Sequence, residues 1–333
     1  MTNALDALLS ASRGWSGDSP DGRILSTTRA FLAAATSDPA ELQSAAASLD
    51  GLDRGAAVWL SLTCGTVAES GIPAEIFGAA LLTHFPSWLP DLPASLPDGA
   101  GCANPTAGQE SLLKLFQFLC QSMVSHLARL PEHRKVLGQD LKLLERLDDL
   151  GACSFGALWV REALTKNSDT VLLLHVAERQ GVRLRYTNVS NCFHLFSLLQ
   201  TAVGTALPGG RTPDETVAAV ARGKRVASIS DEAWWHYGNP LVPRAELTAS
   251  IWGESLARDI PRVDGQQMML LWPPQLKARS WDSAFLQPHL DAMPADASVD
   301  AALLPAEMAH WLDRITTAPA AGKQGWRSWL KLD

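Results

Sequence analysis

A cysteine and two histidines are the residues of this sequence best suited to nucleophilic chemistry. Cys192 stands where an extended segment enters a helix, and the unpaired amides of a first helical turn lower the pKa of a thiol. A thiolate beside an imidazole is the minimum arrangement for acyl transfer, and His175 and His236 are the candidate bases. No family-specific local pattern surrounds the cysteine, and the alternative is a buried side chain that only packs. An acyl-transfer centre at Cys192 is therefore one hypothesis that the sequence supports.

Aromatic and acidic residues are densest between residues 231 and 237. Tryptophan combines a large apolar face with a single donor, so it favours partly wet sites and interfaces. A groove lined by tryptophan and carboxylates suits a peptide, a sugar or a cationic ligand, and paired carboxylates beside aromatic rings also suit glycoside hydrolysis. The alternative is that tryptophan fills the core of irregular loops. The predicted binding residues of this region are Trp234, Trp235, Tyr237, Trp252 and Glu254.

Two arginines form a second candidate binding feature. Arg183 and Arg185 alternate with Val182, Leu184 and Tyr186, and this period of two predicts a half-buried strand with both arginines on its solvent face. Paired guanidinium groups bind carboxylate or phosphate. The alternative is a solvated face whose charges oppose edge-to-edge aggregation.

The motifs that define common nucleotide sites, zinc proteases and α/β-hydrolases are absent from the sequence. The histidines are scattered, with no pair at i and i+4, so no metal site and no cofactor is predicted. The five cysteines are odd in number, widely spaced and without a C-x-x-C motif, which argues against a disulfide framework. Reduced thiols and a cytoplasmic location are the expectation.

Length, composition and charge narrow the classes of partner. The chain has 333 residues, of which 47% are hydrophobic and 19% charged, and this composition excludes intrinsic disorder. A total of 28 basic against 35 acidic residues gives a net charge of −7, which disfavours nucleic acid as a partner. No apolar run approaches the length of about 20 residues that a membrane-spanning helix needs, so no membrane association is expected.

Helical periodicity dominates the first half and predicts an all-helical domain over residues 1–167. Apolar residues recur at spacings of three and four, and alanine and leucine are prevalent. Thr106 and Gln109 have the spacing of a capping box before the longest periodic segment. Five prolines interrupt the pattern within residues 86–105, and they predict a long ordered loop.

A different pattern follows and predicts a mixed α+β domain over residues 168–333. The apolar run at 170–174 and the alternating run at 182–186 are typical of two strands joined by a Gly-containing turn. Asn191 or Ser190 is positioned to cap the helix that comes next. Because hairpin signals dominate, the sheet is predicted to be mainly antiparallel, and the whole chain is assigned to the α+β class.

The function is predicted from the classes of protein that these features do not exclude. The acidic helical half, the missing catalytic motifs and the tryptophan-rich second half favour a cytoplasmic interaction protein, such as a complex subunit, an adaptor or an inhibitor of the immunity type. Its expected partner is another protein, bound by the tryptophan-rich face. Two alternatives stay open: the acyl-transfer enzyme centred on Cys192, and a binder of a small molecule or carbohydrate.

Overall fold

The computed structural model describes residues 3–89, 106–225, 227–232, 235–282 and 292–317. The described chain divides into two compact units, residues 3–164 and residues 165–317, with Ala292 counted with the first. Helices form the first unit, whereas the second combines helices with a mixed sheet, so the predicted α+β class is confirmed. Independent folding of two domains that divide after residue 167 stays a prediction. No described helix has the length and hydropathy needed to cross a bilayer.

The described part of the first unit consists of successive helices. Side-chain caps begin several of them, and the predicted capping box at Thr106 and Gln109 is confirmed. The helices are α1 Ala4–Ser12, α2 Gly22–Ser37, α3 Ala40–Ser48, α4 Arg54–Glu69, α5 Glu75–Trp88, α6 Ala107–Arg129, α7 Pro131–Leu137, α8 Leu141–Gly151 and α9 Phe155–Thr165.

The longest of these helices, α6, packs against α4. Four apolar residues of its periodic segment are buried: Phe116, Leu119, Met123 and Leu127. The hydroxyl of Ser122 donates a hydrogen bond of 2.6 Å to a backbone carbonyl of α4. The apolar face of this long helix is therefore buried against neighbouring helices, as its periodicity predicts.

The predicted proline-rich loop begins later than the sequence indicated. Pro86 lies inside α5, which continues to Trp88. The helix tolerates this proline because its fixed φ is helical and, in the last turn, the missing N–H removes a single hydrogen bond. The rest of the predicted loop, residues 90–105, lies outside the described residues.

The second unit is built on a sheet with the strand order β4-β6-β1-β2-β8, with β5 beside β6, and on the separate pair β3-β7. Strands β1 and β6 are parallel, and the other described pairs are antiparallel, which confirms a mainly antiparallel sheet. The elements are β1 Asn167–His175, β2 Gln180–Val189, α10 Cys192–Val203, α11 Glu215–Ala221, β3 Ser228–Glu232, β4 His236–Gly238, β5 Arg262–Val263, β6 Gln266–Trp272, β7 Ala278–Asp282, β8 Asp296–Ala302 and α12 Pro305–Thr317.

Strands β1 and β2 form the predicted hairpin and bury both faces of the sheet. Val171 and Leu173 belong to the core that contains the apolar residues of α10. Leu172 and Leu174 face the other way, into the core that contains Met308 of α12. Successive side chains of a strand point to opposite faces, so one continuous apolar run contributes to the cores on both sides of the sheet, one with α10 and one with α12.

Tyr186 of β2 ties the hairpin to the rest of the second unit through its buried hydroxyl. The hydroxyl accepts a hydrogen bond of 2.8 Å from Asn167, and it lies 2.8 Å from the acceptor Oε1 of Gln267 and 3.1 Å from the carbonyl of Ala257. Burial, with a smaller contribution from Asp169, raises the pKa of this phenol, so it stays protonated and able to donate.

Replacing Tyr186 by phenylalanine tests this network. The substitution leaves the Asn167 amide and the Gln267 amide short of one partner inside the fold, and unpaired buried polar groups are costly. We expect Tyr186→Phe to lower the free energy of unfolding by about 1.5 kcal/mol, measured by urea denaturation. An unchanged urea midpoint would show that the network adds nothing to stability.

The cysteines depart in one respect from the expectation of reduced thiols. Cys64, Cys120 and Cys192 are free and buried. Cys153 is disulfide-bonded, and the remaining cysteine, Cys102, lies outside the described residues. The cytoplasmic location therefore stays a prediction.

Candidate functional site

A pocket of about 220 Å³ lies beside α10 in the second unit, and we call it the aromatic pocket. Phe196, Trp235 and Tyr237 form buried parts of its lining. Trp252 and Leu276 also line it, and they are 48% and 40% exposed. The pocket thus joins a buried aromatic wall to exposed apolar side chains.

The structure brings most of the predicted tryptophan-rich residues together here. Trp235, Tyr237, Trp252 and Glu254 all line the aromatic pocket, although they come from two separate segments of the chain. Trp234 lies outside the described residues. Their convergence gives the predicted binding face a concave centre.

The wall of the pocket is held by stacked rings and by backbone acceptors. The rings of Phe196 and Tyr237 are parallel, with centroids 3.9 Å apart, and the Tyr237 ring meets Trp235 edge-on at 6.5 Å. The indole of Trp235 donates a hydrogen bond of 3.0 Å to the carbonyl of Pro208. These contacts leave the rings little freedom, so the wall is preformed.

The segment that carries Trp252 is fixed to the start of α10. Asn191, one of the two predicted caps, begins this helix, and its side chain accepts from the amide of His194. The amides of Cys192 and Phe193 donate to the carbonyls of Ser255 and Gly253 at 2.8 Å and 2.9 Å. The first amides of α10 are therefore already paired, and Trp252 is positioned by the backbone beside it.

Arg279 of β7 also lines the pocket, although it was not among the predicted site residues. Its guanidinium carbon lies 5.3 Å from the ring centre of Phe196 and 5.9 Å from that of Tyr237. One terminal nitrogen donates a hydrogen bond of 3.0 Å to the side-chain oxygen of Gln200. Phe196 and Gln200 are one turn apart on α10, so Arg279 lies along a single face of that helix. The alternation of Arg279 with the buried Trp281 is the signal that marks this short strand.

Cys192 and the two candidate histidines are not brought together. His175 ends β1, whereas Cys192 follows the end of the antiparallel β2, so the length of β1, about 26 Å, separates them along the sheet. His236 lines the aromatic pocket beside Ser250, whereas Cys192 is not among the residues that line it.

The protonation of these groups also differs from what an acyl-transfer centre needs. Burial, with a smaller contribution from Asp259, raises the pKa of the Cys192 thiol well above its ordinary value. The expected lowering by the helix terminus is thus outweighed by the loss of solvent. Burial lowers the pKa of His236, whose ring lies 3.3 Å from the hydroxyl of Ser250. The arrangement gives the acyl-transfer hypothesis no support.

Arg183 and Arg185 lie on a different face from the aromatic pocket. Arg183 is 3.7 Å from a carboxylate oxygen of Glu307 in α12, and Arg185 is 3.4 Å from one of Asp300 in β8. Both guanidinium groups therefore have carboxylate partners within the chain, which agrees with the alternative of a charged solvated face.

Among the described residues no group of three or more histidine, cysteine, aspartate or glutamate side chains is placed to hold a metal ion. The chain matches no protein-family model, no curated protein and no solved structure. The aromatic pocket is accordingly interpreted from its own chemistry.

Proposed function

We propose that this chain is an interaction protein whose second unit binds a segment of another protein at the aromatic pocket. The observation that carries the proposal is the union of a preformed aromatic wall with the exposed side chains of Trp252 and Leu276. Protein interfaces rely on a few aromatic and arginine anchors in well-packed pockets, surrounded by apolar contacts. The aromatic pocket has this composition.

The size of the pocket favours a protein segment over a free small molecule. Its volume is about 220 Å³. Sites for drug-sized ligands usually enclose about 300–1,000 Å³. The smaller volume suits one anchoring side chain of a partner, while the rest of the partner covers the exposed apolar rim.

Alanine substitution of Trp252 tests the proposal. We expect Trp252→Ala to weaken partner binding about tenfold or more, since truncating this exposed tryptophan removes most of the apolar rim that the partner covers. The measurement is quantitative co-purification from the host, followed by titration of the identified partner. Val299→Ala is the matched control, because Val299 is 42% exposed and lies on β8, at the opposite edge of the sheet from β4.

Two outcomes separate the proposal from its alternatives. If wild type and Trp252→Ala recover the same amount of partner, the aromatic pocket does not take part in the interaction. A small molecule that co-purifies with wild type and is lost from Trp252→Ala would replace the protein partner with the small-ligand alternative, and native mass spectrometry detects it.

A further inference from the structure

A second pocket, of about 370 Å³, lies within the first unit, and we call it the helical pocket. Its described lining residues fall within 49–58, 84–89 and 112–119, which are the turn before α4 with the start of that helix, the end of α5 and the first half of α6. Sites for small molecules usually enclose about 300–1,000 Å³. The helical pocket therefore has the volume of such a site, which the aromatic pocket lacks.

The interior of the helical pocket is apolar. Every buried residue of its described lining has an apolar side chain, among them Val58 of α4, Phe85 of α5 and Phe116 of α6. A polar group placed in such an interior loses its water and finds no side-chain partner. The interior is accordingly suited to the carbon skeleton of a ligand.

The rim of the helical pocket is polar and partly aromatic, and solvent reaches it. Asp50, whose side chain is 84% exposed, lies 3.4 Å from the Nε2 atom of His84. The half-buried rings of His84 and Trp88 stack with their centroids 6.3 Å apart. All three residues line the pocket. An entering molecule therefore meets an aromatic surface and a carboxylate that are both accessible.

We infer that the helical pocket binds an uncharged aromatic molecule that carries a hydroxyl group at one end. The rings of the ligand fill the apolar interior beside Trp88, and its hydroxyl donates a hydrogen bond to the Asp50 carboxylate at the rim. A carboxylate accepts several hydrogen bonds, so the contact with His84 leaves acceptor positions for the ligand. This second site goes beyond the proposed function and does not rest on it.

The charges of the rim favour a neutral ligand. Arg54 and Asp50 both line the helical pocket, so a cation meets the guanidinium and an anion meets the carboxylate. A hydroxyl avoids both repulsions and still donates to an ionised acceptor, which gives a stronger hydrogen bond than a neutral one. An aromatic skeleton is favoured over an aliphatic one because flat rings stack against an indole such as that of Trp88.

Isothermal titration calorimetry with three naphthalene derivatives tests this ligand class. We expect wild type to bind 2-naphthol at least about tenfold more tightly than 2,6-dihydroxynaphthalene, because the second hydroxyl would be buried among apolar side chains without an acceptor. We also expect 2-naphthol to bind about fivefold more tightly than 2-methoxynaphthalene, which has nearly the same size but cannot donate to Asp50.

Two pairs of variants locate the site. Leu112→Trp enlarges a half-buried lining residue and should weaken 2-naphthol binding about tenfold or more, whereas Leu113→Trp enlarges its half-buried neighbour outside the described lining and should leave binding unchanged. Asp50→Ala should make 2-naphthol and 2-methoxynaphthalene bind alike. Glu75→Ala removes an exposed acid of the same unit that is not part of the described lining, and it should keep the preference for 2-naphthol.

Each contrary result overturns the inference. Absence of 2-naphthol binding, or equal binding of 2-naphthol and 2,6-dihydroxynaphthalene, excludes the ligand class, and a preference for 2-naphthol that survives in Asp50→Ala excludes the hydrogen bond at the rim. Equal losses in Leu112→Trp and Leu113→Trp assign the effect to the fold of α6. Loss of 2-naphthol binding in Trp252→Ala places the ligand in the aromatic pocket instead. The proposed function fails separately, if Trp252→Ala retains the partner, whatever the naphthalene derivatives show.

Discussion

Gly253→Ala is expected to destabilise the second unit by about 3 kcal/mol and to abolish binding at the aromatic pocket. A Cβ atom at this position would lie 2.3 Å from two ring atoms of Phe193, far inside a normal contact. The ring stacks on Trp281 with centroids 5.9 Å apart, and the Phe193 amide donates to the Gly253 carbonyl. Relief of the clash therefore requires movement of the segment that carries Trp252.

Thermal and urea unfolding measure this effect, and two variants control it. Gly108→Ala adds a methyl group to the first turn of α6, where nothing lies within 4 Å, so it should leave stability unchanged or slightly improved. The double variant Phe193→Leu, Gly253→Ala should recover part of the loss, because contacting residues are not additive. A loss in the double variant equal to the sum of the two single losses would refute the clash with Phe193.

Acidification from pH 7 to pH 5 is expected to cost the first unit about 2 kcal/mol through His126. This residue of α6 is 1% exposed, and its Nε2 atom has no partner among the described residues. Burial, assisted by the charge of Arg129 and opposed by Glu69, lowers the pKa of His126 to about 4. The ring also packs against Phe77, with centroids 5.6 Å apart.

The sign of this effect follows from proton uptake. The ordinary pKa of histidine is about 6.5, so the unfolded chain binds a proton at this residue below that pH while the folded chain resists until about pH 4. Stability is therefore present at neutral pH and is lost progressively as the pH falls between these two values. Glu69, whose pKa is lowered by its hydrogen bond from Arg129 against the opposing effect of burial, loses its contribution at lower pH.

A variant without a titratable group isolates this contribution. Between pH 7 and pH 5, the free energy of unfolding should fall by about 2 kcal/mol less in His126→Leu than in wild type. Urea unfolding followed by far-UV circular dichroism at both pH values measures this difference. If wild type and His126→Leu lose stability equally over this range, the buried histidine is not the source. This pH effect is independent of binding at the aromatic pocket, because His126 belongs to the first unit and the pocket to the second.

The candidate site was predictable in part. Residue type and clustering predicted four of the pocket residues, because tryptophans and carboxylates that cluster in the sequence are typical of a binding face. These residues are Trp235, Tyr237, Trp252 and Glu254. Arg279 was missed, because a single arginine in a short strand resembles any solvated charge. Its role emerges only from the helix face it lies on, which carries Phe196 and Gln200.

Sequence alone determined the helical first unit, the β1–β2 hairpin and the Thr106 capping box, and it limited the cap of α10 to Ser190 or Asn191, because each depends on residues a few positions apart. Tertiary structure decided the rest. It set Cys192 and His175 at opposite ends of the hairpin, although they are close in sequence, and it bonded Gln200 to Arg279 across 79 positions. Strand direction and packing create such contacts, and they arise from the whole fold rather than from any local pattern.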